Sequence, residues 1–275
     1  MKKLVFGGGK VSVGFSRFSS SYTAIKRSEC DISNIDNVRS IVAGHRPDVI
    51  VNAAAITNLE RCESNKYDAY LSNTLGALNL LKVCSDFSIK FAHVSSGCLF
   101  DGNSSVFTET SSPDPKVWYT RTKAWTDDII SSFGYENYII LRPRQMISSF
   151  SHPTNMITKF LNMESILAID EPNSLTCVED FCEMLEHLIK YEHCGIFNCC
   201  NSGHITPYDI ACRIRDKLKN SFHVEKIEYK EFLKTIPNKR VNTLLSIEKL
   251  KSTGYNPRSA SEALTWCLEE YKSYE

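Results

Sequence analysis

Residues 2–27 read KKLVFGGGKVSVGFSRFSSSYTAIKR, and three features of that stretch set the architecture. The apolar run Leu4-Val5-Phe6 has the length of a strand and stops at Gly7, Gly8 and Gly9. Glycine reaches backbone conformations closed to other residues, so such a cluster marks a sharp turn. A second apolar run, Tyr22 to Ile25, comes only a few residues after Gly14, which leaves room for one short helix between them. Strand, glycine turn, helix, strand is how a doubly wound parallel α/β sheet begins.

The alternation continues downstream. DVIVNAA (48–54), KFAHVSS (90–96) and YIILRP (138–143) read as buried strands, rich in Val, Ile and Phe. Between them NVRSIVAGH (37–45), KYDAYLSNTLGALNLLKVCSDF (66–87) and YTRTKAWTDDIISSF (119–133) have helical spacing. Beyond Pro143 the pattern loosens. PTNMITKFLN, TCVEDFCEMLEHLIKY, TPYDIACRIRDKLK and SASEALTWCLEEYKSY read as helices, and GIFNCCN as a further strand. The expected organisation is a Rossmann-like doubly wound domain over 1–145, rejoined by 174–202. A smaller substrate lobe would be built from 146–173 and 203–275.

With 32 basic and 32 acidic residues the chain is neutral, so no global field draws it to nucleic acid or to a membrane surface. MKKLVFGGGK lacks the apolar core of a signal peptide, and no apolar run approaches the ~18 residues of a membrane span. The eleven cysteines are scattered and odd in number, which suits free thiols in a reducing, cytoplasmic setting. Cys194, Cys199 and Cys200 lack the paired spacing of a zinc site, and no metal is expected.

Ligands of such a sheet lie beyond the carboxyl ends of its strands. Ser95, Ser96, Gly97 and Cys98 stand at one of those ends. Tyr119 and Lys123 share a helix face one turn apart, where an ammonium favours the phenolate and eases proton donation to a developing alkoxide.

A strand-end serine, Tyr-x-x-x-Lys and a glycine-rich first turn together resemble the extended short-chain dehydrogenases/reductases. Longer strings narrow the resemblance: VNAAAITNLERCESNKYDAYLSNTLGALNLLKVC, SSGCLFDG, YTRTKA, PRQMISSFSHPTNMITKF and IDEPNSLTCVEDF. They look like the nucleotide-rhamnose synthase/epimerase-reductase subgroup, relatives of dTDP-4-dehydrorhamnose reductase. That resemblance implies C3/C5 epimerisation of a UDP- or dTDP-linked 4-keto-6-deoxyhexose, followed by NADPH-dependent reduction at C4 to an L-rhamnose-type sugar. Cys98 and Lys159 would move protons at the carbons flanking the ketone. Tyr119 would protonate the C4 oxygen, Ser96 would polarise it, and Lys123 would also hold the nicotinamide ribose, with Tyr119 alongside.

The same resemblance implies cofactor contacts at Gly7, Gly8, Gly9, Gly14, Asp31, Ala53, Ala54 and Asn73. Lys26 and Arg27 follow the second strand, where cations suit a 2′-phosphate; NADPH is therefore favoured over NADH. Asn155 and Arg240 would meet the substrate's diphosphate. The departure lies in the first turn, where Lys10 and Val13, or Val11, fall where the family has glycine. Two other readings stay open: a reductase without epimerase activity, and a non-catalytic reductase-like subunit of the methionine adenosyltransferase regulatory type. The helices around 63–84 and 119–133 could pair two copies into a homodimer.

Overall fold

In the computed structural model, residues 1–102, 106–218, 221–239 and 241–271 are described. The strands are β1 (Lys3–Phe6), β2 (Tyr22–Ile25), β3 (Val49–Asn52), β4 (Lys90–Val94), β5 (Tyr138–Arg142), β6 (Met146–Ile147), β7 (Ser165–Ile169), β8 (Thr176–Cys177), β9 (Gly195–Asn198) and β10 (His223–Ile227). Six of them form one all-parallel sheet in the order β2-β1-β3-β4-β5-β9. Leaving β1, the chain goes first to β2 on one side and later to β3 on the other. The order therefore reverses between β1 and β3, and a crevice opens there.

Alternate strand residues serve opposite faces. Val5, Val51, Ala92 and Leu141 pack on Phe15, from α1 (Lys10–Phe18), and on Phe181 and Leu185, while Leu4, Ile50, Phe91 and Ile140 pack on the other side with Val38, Leu80 and Ile130. Val38 lies on α2 (Ile35–His45). Burial on both faces is why these strands read as continuous apolar runs. Two short helices follow β3, α3 (Leu59–Ser64) and α4 (Lys66–Tyr70). The chain then widens into a π-helical turn at Leu71–Leu75 before α5 (Gly76–Phe87), so the single long helix expected over 66–87 is interrupted. α6 (Trp118–Ser132) follows β4 across the sheet.

The rest of the chain adds α7 (Met156–Leu161), α8 (Val178–Lys190), α9 (Pro207–Lys217), α10 (Tyr229–Thr235), α11 (Glu248–Ser252) and α12 (Ala260–Glu269). α8, which carries Phe181 and Leu185, returns to the sheet. A separate core of Ile147, Ile157, Ile166, Ile210, Ile214 and Leu264 joins α7, α9 and α12 to the small parallel pairs β6–β8 and β7–β10. Thr206 caps α9 through its hydroxyl with Pro207 in the first turn, and Ser259 with Glu262 forms a reciprocal cap on α12. Among the described residues, no helix is long and apolar enough to cross a membrane.

Candidate active site and dinucleotide cleft

The β1/β3 crevice holds a cavity of about 640 Å³ lined by Gly7, Gly8, Gly9, Arg27, Asp31 and Ala53 to Ala55, among others. Gly7 has φ +139°, and a Cβ there would stand 2.9 Å from the Ala53 carbonyl carbon and oxygen. That close approach requires glycine. Gly8 and Gly9 face open space, so their backbone lies bare at the N-terminus of α1. Small residues and helix N–H groups around a crevice of this size fit a dinucleotide pyrophosphate. Asp31 accepts from the Ser33 hydroxyl and N–H at 2.8 and 3.0 Å, and those bonds hold its carboxyl below the usual range, helped by Arg27 3.7 Å away.

Three expected cofactor positions, and Lys10 in the departing first turn, are placed differently or carry a different environment. Gly14 is outside the cavity lining; a Cβ there would strike Val178 Cγ1 at 2.3 Å, so it is the glycine that lets α1 lie on α8. Lys26 is exposed and outside the lining, whereas its neighbour Arg27 is in it. Asn73 is buried and spends its amide inside the protein: Oδ1 accepts from Ile56 N at 2.7 Å, and Nδ2 donates to Ile56 O and Thr122 Oγ1. Those bonds hold the exit from β3. Lys10, in a glycine slot, is buried and donates from Nζ to the Met146 carbonyl at 2.6 Å and to that of Thr154 at 3.4 Å.

A second cavity of about 460 Å³ lies beside the first, with Thr57 on both walls. Cys98, Tyr119 and Arg144 line it, together with apolar Met156, Phe160 and Ile166. After β4 the chain turns sharply at Gly97–Leu99, and Ser96 Oγ accepts from Cys98 N at 3.1 Å. A Cβ at Gly97 would meet Leu245 Cδ1 at 2.6 Å and the Pro143 carbonyl oxygen at 3.2 Å, so a larger residue there would push the leucine aside. The turn thus brings the Ser96 hydroxyl and the Cys98 thiol to one strand end.

Tyr119 and Lys123 stand one turn apart on α6, and Ser96 lies within hydrogen-bonding reach of the phenol. Burial pushes the phenol above its ordinary range and the nearby Cys98 adds to this, while the Ser96 contact and the charge of Arg144 pull it down. This corrects the expectation that Lys123 would lower it. The Lys123 ammonium instead donates to the Val94 carbonyl at 2.8 Å, and burial depresses it to about 8 against the opposing pull of Asp127. Asp127 is itself buried beside Arg142, whose Nε donates to it at 2.9 Å.

Three further expectations meet the structure. Lys159 is exposed on α7 and outside the lining of either cavity, although Met156 and Phe160 of the same helix line the second. Asn155 is fully buried, and its amide is consumed by its own loop: Nδ2 donates to Ser148 O and Phe150 O, and Oδ1 accepts from Ser148 N. It is a loop clamp, and its expected substrate contact is corrected. Arg240 lies outside the described residues. Sequence reasoning missed Arg144, which donates to Cys98 Sγ at 2.9 Å; the PRQM string contained it, but nothing local revealed its target. It also missed the gathering of Cys177 and Glu179 with Cys267, 90 residues from Cys177, within 4.8 Å.

Comparison with known proteins agrees with this geometry. The RmlD substrate binding domain family matches residues 4–273. A bifunctional dTDP-4-dehydrorhamnose 3,5-epimerase/dTDP-4-dehydrorhamnose reductase of Arabidopsis thaliana is 30% identical over 80% of this chain and 75% of its own. Among solved structures, the dTDP-4-dehydrorhamnose reductase of Bacillus anthracis, in complex with NADP, superposes with a TM-score of 0.88 at 21% identity, covering 98% of this chain and 100% of that one. The UDP-rhamnose synthase of Acanthamoeba polyphaga mimivirus gives 0.85 at 22%, covering 98% and 99%. With a family match over nearly its whole length and the extended short-chain reductase fold beneath it, the chain belongs to the RmlD substrate-binding-domain family.

Proposed function

We propose that the chain is an NADPH-dependent 4-ketosugar-nucleotide reductase that first inverts carbons flanking the ketone of a UDP- or dTDP-linked 4-keto-6-deoxyhexose. The observation that carries this reading is the shared cavity: a thiol, Cys98, and a phenol, Tyr119, line one chamber next to the dinucleotide crevice. NADPH, when bound, supplies the hydride. Arg27 on the crevice wall suits a 2′-phosphate, while the bare Gly8 and Gly9 backbone and the α1 N-terminus would hold the pyrophosphate.

The chain's own groups handle protons. Tyr119, kept protonated by its raised pKa, donates to the C4 oxygen, and Ser96 offers that oxygen a second hydroxyl. Hydrogens beside a ketone are acidic; Cys98 removes one, and the C–H electron pair moves to the carbonyl oxygen as an enolate. Lys159 stands outside the lining, so its part in returning a proton rests on the resemblance alone. Met156, Phe160 and Ile166 give a 6-deoxy methyl an apolar wall, and Lys116 and Lys239 line the same chamber with cations suited to phosphate. We assign 1–145 with 174–202 to the cofactor and 146–173 with 203–275 to the substrate. Exposed Tyr67, Tyr70 and Trp125 on α4 and α6 favour pairing of two copies.

The irregular turn at Lys10 and Val11 is the observation on the side of a non-catalytic binding subunit. The test is incubation with the ketosugar nucleotide and NADPH in deuterated water. Cofactor oxidation with deuterium at C3 or C5 is expected. Oxidation without deuterium leaves a simple reductase, and binding without oxidation leaves a binding subunit.

A further inference from the structure

Arg144 is gripped at every nitrogen of its head group. Nε donates to Asn173 Oδ1 at 3.1 Å, one terminal nitrogen donates to the Val241 carbonyl, and the other donates to Cys98 Sγ at 2.9 Å. Its backbone N–H is also fixed, on Thr176 Oγ1 at 3.0 Å. Asn173 Oδ1 accepts in addition from Thr243 N at 3.2 Å, and the Thr243 hydroxyl donates to the Gly97 carbonyl at 3.0 Å, next to Cys98. The bonds therefore close a ring: from the Cys98 turn through Arg144 to Asn173, on to the 241–243 segment, and back to Gly97.

A guanidinium is a permanent, planar cation whose N–H directions are rigid. With two corners of the fork spent on Asn173 and Val241, the third can only point at the sulfur. A charged donor binds an anion about twice as strongly as a neutral donor binds a neutral acceptor. This arrangement fixes the direction of the sulfur and puts a charged donor 2.9 Å from it.

Building on the proposed epimerase chemistry, we propose that Arg144 is the positioning residue that prepares Cys98 as the base. In the step it serves, the ring C–H bond beside the ketone breaks and an S–H bond forms. The C–H electron pair passes to the ketone oxygen, giving the enolate, and Arg144 loses its anionic partner. The carbon then takes a proton on its opposite face from water or a group there, restoring the ketone with inverted configuration. The thiol returns its proton to solvent water, and the pair with Arg144 re-forms. Arg144 touches neither the reacting carbon nor the oxygen, so its influence runs through sulfur.

Three measurements on the full chain test this: deuterium wash-in to the ketosugar nucleotide without NADPH, NADPH oxidation with the already epimerised ketosugar, and iodoacetamide labelling of Cys98 read by peptide mass spectrometry. In Arg144→Met, wash-in and Cys98 labelling are both expected to fall about tenfold further than reduction, the rate equivalent of one hydrogen bond to a charged group. Arg144→Lys, which keeps the charge and loses the fork, should recover part of the labelling. Wash-in within about threefold of wild type in Arg144→Met overturns the proposal, as does a parallel fall in wash-in and reduction, which signals a merely structural role. Failure of the underlying reading looks different: wild type and Cys98→Ser would then both show no wash-in. Labelling would still decide whether Arg144 acts on the thiol.

Discussion

The ammonium of Lys10 donates to the carbonyl oxygen of Met146 at 2.6 Å, pinning the first turn of α1 to the segment that leads into α7. Burial depresses Lys10 to about 7, and the charge of Lys159 pushes the same way, while Cys267, Glu179 and Cys177 pull against them. In the unfolded chain the same group titrates near 10.5. Between those values the unfolded chain binds more protons than the native one, so this group's contribution to stability rises with pH across that window. Its burial penalty is full below about 7 and gone above 10.5. Lys10→Met should therefore be most favoured relative to wild type near pH 6 and lose ground steadily by pH 9.5. Urea unfolding of both proteins at three pH values checks this; a pH-independent difference refutes it.

Tyr119→Phe and Cys98→Ser should separate the two halves of the reaction. Removing the phenol should cut NADPH oxidation by roughly 10²–10⁴, the usual worth of a general acid. Removing the thiol should cut deuterium wash-in by about 10² or more and stall the sugar before reduction. Parallel loss of both readouts in both variants would argue against the division of labour.

Glycine substitutions should sort by what each Cβ meets. Gly7→Ala combines a positive φ with a 2.9 Å clash on Ala53 and should weaken both stability and NADPH affinity. Gly14→Ala should cost about 1–3 kcal/mol of stability by forcing Val178 aside, with little change in affinity for the molecules that remain folded. Gly8→Ala meets nothing within 4 Å, so any effect should appear in NADPH affinity alone. Thermal melting and titration calorimetry read the two quantities separately.

Arg27→Ala should raise KM for NADPH by about tenfold and that for NADH far less, because only the phosphorylated ribose meets the cation. Equal effects on both cofactors would remove Arg27 from the 2′-phosphate site.

Arg142→Met leaves Asp127 buried without its partner, and should cost about 3–5 kcal/mol in chemical denaturation. Asp127→Asn with Arg142→Met should recover much of that loss.

The six-stranded sheet was legible because its strands are buried on both sides, which writes an apolar run bounded by turn residues into the local sequence. β7 and β10 were not, since each mixes exposed with buried residues and finds its partner far along the chain, Ser165 opposite His223. Ser96, Cys98 and Tyr119 could be found because the strand end and the helix face that hold them are local features. Asn155 was misjudged because its amide turns back on its own loop, which no spacing reveals. The direction of the Tyr119 shift was misjudged for a related reason: burial depends on the whole fold, and here it outweighs one neighbouring charge. Arg144 was invisible because Asn173 and Val241, which aim it, lie 29 and 97 residues away.

The far wall of the Cys98 chamber comes from Ile166 to Ile169, Phe232, Val241 and Asn242, none of which belongs to the six-stranded sheet. Hydride and proton equipment on one side, and the surface that inspects the sugar on the other, can therefore diversify at separate rates. A descendant could acquire a taste for a new hexose by rewriting a few dozen residues of its second half while inheriting its redox machinery intact.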